Sequence, residues 1–215
     1  MLLRFFCGHL SLHSCSLALR SLGWDVLATD LPDVIDSVLA QNISSNFTNL
    51  PPESGTIQIR ALDWAVPPEK WTWEDNTIIA SPSVPTTLTS NVDERSPLLV
   101  APFDLIITAD TVYSPHLVEP LLRTLRHLYS ISIWIDGCGK AHYPQVFVCI
   151  ERRDPTLVDN FLDEAKLTFG VTRVQSRKMF EAMERKGLSW AKEDWEGMEI
   201  WEFKKARVAT RPTVC

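Results

Sequence analysis

With 215 residues the chain is long enough for one sizeable domain and short for two. Its 45% hydrophobic and 22% charged residues exclude the disordered and fibrous classes. A net charge of −6 argues against a broad nucleic-acid or anionic-membrane footprint, so no nucleic-acid partner is expected.

Five cysteines, Cys7, Cys15, Cys138, Cys149 and Cys215, form no disulfide framework by number or spacing, and reduced thiols are expected. That places the protein in the cytoplasm, with the nucleus as the alternative. Arg4 precedes an apolar-leaning run, but His9, Ser11 and His13 interrupt it and no small-residue cleavage site follows by Leu22, so no secretory leader is expected. The sequons at Asn42 and Asn46 then carry no consequence. No apolar stretch approaches the roughly 20 residues of a membrane span.

In chain order, Leu2 to Cys7 reads as a strand and Cys15 to Leu22 as a helix stopped by Gly23. Trp24 to Thr29 is a second strand, followed at once by Asp30. Leu31-Pro32-Asp33 opens a helix to about Gln41, with Val34, Ile35, Val38 and Leu39 on one face. A turn-rich patch leads to a third strand, Thr56 to Leu62, ending in Asp63-Trp64. Ala65 to Pro102, with six prolines and a Ser/Thr-rich centre, reads as loop, and Ser81 to Ser96 as a disordered insert. The apolar run Leu105 to Ile107 is a buried strand whose end carries Asp110 and Tyr113.

Beyond it, Pro115 to Leu128 is a helix with leucines at helical spacing. Ile131 to Ile135 and Gln145 to Ile150 are strand candidates, Thr156 to Phe169 an amphipathic helix, Val171 to Gln175 a strand, Arg177 to Lys186 a helix and Met198 to Phe203 a last strand. Strand–helix alternation implies a parallel sheet covered on both faces, with the last two strands forming an antiparallel edge pair. Residues 1–207 are expected to form one domain and 208–215 a tail.

Each candidate site residue also has a plainer role. Asp30 suits a helix cap, Trp64 core packing, and Asp110 a cap for the helix after Ser114. Glu151-Arg152-Arg153-Asp154 reads as a solvated, self-paired charge cluster at a strand-to-helix turn. Cys7, His9, His13 and Cys15 are too closely spaced for a zinc site, and no metal is expected.

The order of landmarks resembles a known family. Ala28-Thr29-Asp30-Leu31-Pro32, Leu62-Asp63-Trp64, Asp104 to Tyr113, Glu151 to Pro155 and Met198 to Trp201 together are similar to the seven-strand protein-lysine methyltransferases, notably fungal members that modify translation elongation factors. The resemblance runs from about Cys15 to Lys204, and its most distinctive part is the Asp-x-x-Tyr motif after a strand. It implies an α/β, Rossmann-like, seven-stranded methyltransferase sheet, mostly parallel with an antiparallel C-terminal edge strand and helices on both faces.

By the same resemblance the cofactor is S-adenosylmethionine. Asp30 would accept from its ribose hydroxyls, Trp64 would cover the adenine, Ala109 and Gly8 would let backbone approach, and Asp110 with Tyr113 would hold the acceptor amine. The implied partner is a protein substrate, with a translation factor among the candidates, for a monomer that does not bind membranes.

The chain departs from the family after its first strand. His9, Ser11 and His13 stand where the family has a glycine-rich turn, and the family's segment upstream of that strand is absent. Two alternatives to a working enzyme therefore stay open: a catalytically dead, methyltransferase-like interaction protein, and a misassembled gene product. A nicotinamide-dependent oxidoreductase fits less well, because there is no Gly-x-Gly-x-x-Gly.

Overall fold

A computed structural model describes residues 4–8, 13–46, 51, 53–82, 97–187 and 197–205, with side chains from Cys15 onward. The first half builds β1 (Arg4–Gly8), α1 (His13–Ser21) and β2 (Asp25–Asp30). A helical stretch follows from α2 (Pro32–Val34) through a π-helical segment (Ile35–Leu39) into α3 (Ala40–Asn46). Then come β3 (Ile57–Leu62), β4 (Ile78–Ala80) and β5 (Leu105–Ala109). The second half adds α4 (Val118–Ile131), a small hairpin of β6 (Trp134–Ile135) and β7 (Ala141–His142), β8 (Gln145–Glu151), α5 (Pro155–Lys166), β9 (Phe169–Arg173), α6 (Ser176–Glu184) and β10 (Met198–Lys205).

The main sheet runs β4-β3-β2-β1-β5-β8-β10-β9. Its first six strands pair in parallel, and β10 pairs antiparallel with both β8 and β9. Alternation along the strands sends side chains to two faces. Leu27, Leu62, Ile106, Val146, Val148 and Ile150 meet the apolar stripes of α4 (Leu121, Leu125, Leu128) and α5 (Val158, Phe161, Ala165) in the main core. On the other side Val26 and Leu105 pack with Cys15 and Leu19 of α1, while Ala28 and Ala61 meet Ile35, Leu39 and Ile43. Phe161, Phe169 and Phe203 fill the far end, with ring centroids 5.4 and 6.0 Å apart across Phe203. Asp154 caps α5, its Oδ1 accepting from the Thr156 and Leu157 amides at 3.0 and 3.1 Å.

Several expectations are corrected. The main sheet has eight strands among the described residues, not seven, because Ile78–Ala80 adds an outer strand inside the stretch read as loop. Proline density hid it: the strand is only three residues long, and Ile79 and Ala80 are buried. The antiparallel β10 lies inside the sheet and β9 forms the edge. Ile131 completes α4 instead of starting a strand, and β6 pairs only with β7 around a turn in which Asp136 Oδ1 accepts from the Cys138 and Lys140 amides. The helix after Pro32 continues to Asn46 because Ile43 extends its buried stripe. Of the insert expected at 81–96 only Ser81 and Pro82 are described, and the tail 208–215, His9 and Ser11 lie outside the described residues.

Candidate functional site

From β1 the sheet is laid outward through β2 and β3, and the chain then returns to place β5 on the other side of β1. This reversal is a topological switch point, and open α/β sheets take their ligands outside the carboxyl ends of the strands at such a point. Register brings the expected residues to that edge. Gly8, the last residue of β1, stands opposite Thr29 of β2 and Thr108 of β5. One residue further, Asp30 ends β2 and Ala109 ends β5.

Asp30 is only 6% exposed, and its Oδ1 accepts from the Leu31 amide at 2.8 Å. It is not the N-cap of the following helix: Leu31 holds that position and receives no side-chain cap. At the end of β3, Asp63 Oδ1 accepts from the Ala65 amide at 2.8 Å. Trp64 is half-buried against the main core, and its carbonyl accepts from Arg123 of α4 at 2.8 Å.

Asp110 takes φ +53°, the one positive value at a non-glycine among the described residues. Such a conformation costs energy for a residue with a Cβ and is over-represented where side chains are aimed for function. Its amide donates to the Cys149 carbonyl at 3.0 Å, extending the β5–β8 pairing by one rung and fixing the backbone there. Asp110 does not cap the turn at Pro115–Leu117, whose N-cap is Ser114 without a side-chain bond. Beneath it, Thr111 Oγ1 lies 3.2 Å from Thr108 Oγ1 in a buried pair.

Tyr113 is 49% exposed, and its phenol is held above the ordinary tyrosine range. Partial burial is the first cause, followed by the charges of Asp30, Asp110 and Asp63. The sequence pointed to Asp30, Asp110 and Tyr113 as site residues, but treated Asp63 only as the end of a strand.

It also missed Arg153. The turn at 151–154 is only partly self-paired: Arg153 bonds Glu151, but its Nη2 also lies 3.3 Å from Asp110 Oδ2. Arg152 turns the other way, making a bidentate pair with the buried Glu199 at 3.0 Å and meeting Asp159 at 2.8 Å. The signal was available in principle, because parallel pairing of β5 with β8 puts the residues just past both strands side by side.

Cys149, opposite Ala109 in the register, is no nucleophile: burial first, then the neighbouring Cys15, pushes its thiol up to about 12. Among the described residues no group of three or more His, Cys, Asp or Glu side chains is arranged to hold a metal ion. No described helix is long and apolar enough to cross a membrane. A cavity of about 560 Å³, lined by Asp63, Val66, Lys70, Thr72 and Ile79 among others, adjoins the site on the β3–β4 side.

Chemically, the edge offers a buried acceptor-only carboxylate, a small residue and a glycine beside it, and an acidic, half-exposed mouth carrying a phenol donor. This set suits a ligand with vicinal hydroxyls and a positive charge.

No family model matches the chain. Over 123 residues, 57% of this chain, it is 28% identical to the protein-lysine N-methyltransferase rrg1 of Schizosaccharomyces pombe. The chain spans about a third of the length of that relative, 32%. Among solved structures, it is similar to a TehB-like SAM-dependent methyltransferase from Corynebacterium glutamicum, with a TM-score of 0.51, 15% identity, and coverage of 95% of this chain and 80% of that one. Human methyltransferase-like protein 13, solved in complex with SAH, covers 99% of this chain and 76% of its own at a TM-score of 0.46 and 13% identity. The fold is a Rossmann-like α/β fold, the one seen in the Corynebacterium glutamicum protein.

Proposed function

We propose that this chain is an S-adenosylmethionine-dependent methyltransferase whose acceptor is a protein lysine. The observation that carries this reading is the placement of Asp30 and Ala109 at the carboxyl ends of the two strands that flank β1, with Asp110 next in the chain and held at φ +53°. The 28% identity to a protein-lysine N-methyltransferase supports the choice of acceptor. When bound, S-adenosylmethionine would supply a methyl group on a sulfonium whose sulfur leaves as a neutral thioether, and the acceptor lysine has to lose its ammonium proton to solvent before its nitrogen can attack.

The protein's own task is binding, alignment and exclusion of water. Asp30, buried and able only to accept, takes ribose hydroxyls. Gly8 and Ala109 keep the neighbouring strand ends bare enough for close approach, and Trp64 covers the adenine. Asp110 and Tyr113 orient the acceptor amine, the carboxylate through charge and the phenol through a hydrogen bond and its ring face. The acidic mouth favours a cationic side chain on its way in. The protein acts as a monomer in the cytoplasm or nucleus on a protein substrate, with translation factors among the candidates.

The test incubates the protein with isotopically labelled S-adenosylmethionine and a hypomethylated cell extract, and reads modified residues by mass spectrometry. Label on lysine that disappears with Asp110→Ala supports the reading. Label only on other residue types, or label that survives Asp110→Ala unchanged, overturns it.

A further inference from the structure

Arg153 follows β8 by two residues, and its side chain is 63% exposed, yet its guanidinium is drawn into the site by two carboxylates. The two pairings are unequal. Glu151 Oε2 accepts from Nε at 2.7 Å and also from Nη2, so Glu151 grips two of the guanidinium nitrogens from two residues away. Asp110 Oδ2 meets Nη2 alone at 3.3 Å, longer than the about 2.7–2.9 Å of a strong charge-assisted bond.

An exposed ion pair of that length is weak, so another cation can displace it. The Asp110 backbone stays in place when the arginine departs, set at φ +53° with its amide bonded to the Cys149 carbonyl, so its carboxylate remains at the sheet edge. Arg153 can leave Asp110 without losing its stronger partner. The arrangement is a fixed carboxylate at the edge with a movable cation resting on it.

We infer that Arg153 holds the acceptor's place on Asp110, and that an arriving lysine ammonium displaces the guanidinium, which Glu151 retains. This rests on the methyltransferase reading above and adds a specificity-determining residue to it. A neutral or anionic acceptor has no charge with which to compete for Asp110, so the exchange admits cations.

The test uses n-butylammonium chloride as the lysine side-chain probe. It is titrated at constant ionic strength into protein saturated with S-adenosylhomocysteine and followed by NMR of the arginine side-chain nitrogens, with n-butanol as the uncharged control. Removing the resident cation with Arg153→Gln should tighten n-butylammonium binding about two- to fivefold, the worth of an exposed pair. Asp110→Asn, which tolerates the left-handed backbone, should weaken it about tenfold. In the wild type the Arg153 resonance should shift with n-butylammonium and not with n-butanol.

Unchanged or weaker binding in Arg153→Gln, with S-adenosylhomocysteine still bound, overturns the exchange and leaves the methyltransferase reading intact. Failure of the wild type to bind S-adenosylhomocysteine at all overturns that reading and this inference with it.

Discussion

Among the described glycines with neighbours given, Gly55 has the least room for a side chain, and replacing it tests the packing between its loop and the start of β2. A Cβ there would fall within contact distance of the Trp24 carbonyl carbon and oxygen, and 3.0 Å from the Asp25 amide nitrogen. All three are backbone atoms at the start of β2, so no rotamer change relieves the clash. Overpacking of this kind costs about 1–3 kcal/mol. The loop is also pinned by two bonds, from the Gly55 amide to the Arg20 carbonyl at 3.0 Å and from Arg20 Nε to the Gly55 carbonyl at 2.9 Å. If the loop moves to make room, it loses about 1 kcal/mol for each.

Gly55→Ala should therefore lose about 3–5 kcal/mol in all. At about 2–4 °C per kcal/mol for a chain of this size, the melting temperature should fall by about 6–20 °C. Urea and thermal unfolding followed by circular dichroism measure this directly. A loss below about 0.5 kcal/mol, the range of a neutral surface change, would refute the close approach of the Gly55 loop to β2.

Other consequences follow from buried charges and from the site. Arg60 is fully buried, donating to Gln58 Oε1 at 2.9 Å and to the Leu99 carbonyl at 2.6 Å, and burial pushes its guanidinium down to about 10. Arg60→Ala leaves both acceptors without that donor and should destabilise by about 2–5 kcal/mol in urea titration. Glu199, 7% exposed, is held below the ordinary carboxylate range by Arg152, Trp201 and Arg173, against the effect of its burial. Its folded pKa is depressed, so its contribution is fully present above the unfolded value of 4.5 and is lost as pH falls through the folded one. Glu199→Gln should cost about 3 kcal/mol at neutral pH, with the gap to wild type narrowing in unfolding curves taken at successively lower pH below 4.5. Tyr113→Phe should lower methyl-transfer turnover about 10²-fold through lost alignment, leaving S-adenosylhomocysteine affinity unchanged by calorimetry.

The strands around the switch point were legible because apolar runs such as Leu105 to Ile107 end abruptly in polar residues. The helices α4 and α5 were legible from their periodic stripes. Parallel pairing sets Asp30 and Ala109 at the ends of the two strands beside β1, with Asp110 next in the chain. What remained hidden depends on partners distant in sequence. A three-residue strand among prolines shows no periodicity, so β4 appears only once β3 supplies its neighbour. Arg153 reads as surface charge until β5 and β8 align, and nothing in the sequence singles out Arg60, over which Leu99 and Gln58 close. Ile131 sits between helix and strand signals, and the last turn of α4 claims it.

The most direct test of the central claim is calorimetric titration of the chain with S-adenosylhomocysteine, with Asp30→Ala in parallel. Micromolar binding is expected, weakened at least about tenfold when the buried carboxylate is removed. No binding by a folded protein, or equal affinity in the two, would contradict the assignment of the carboxyl ends of β1 and β5 as a cofactor site.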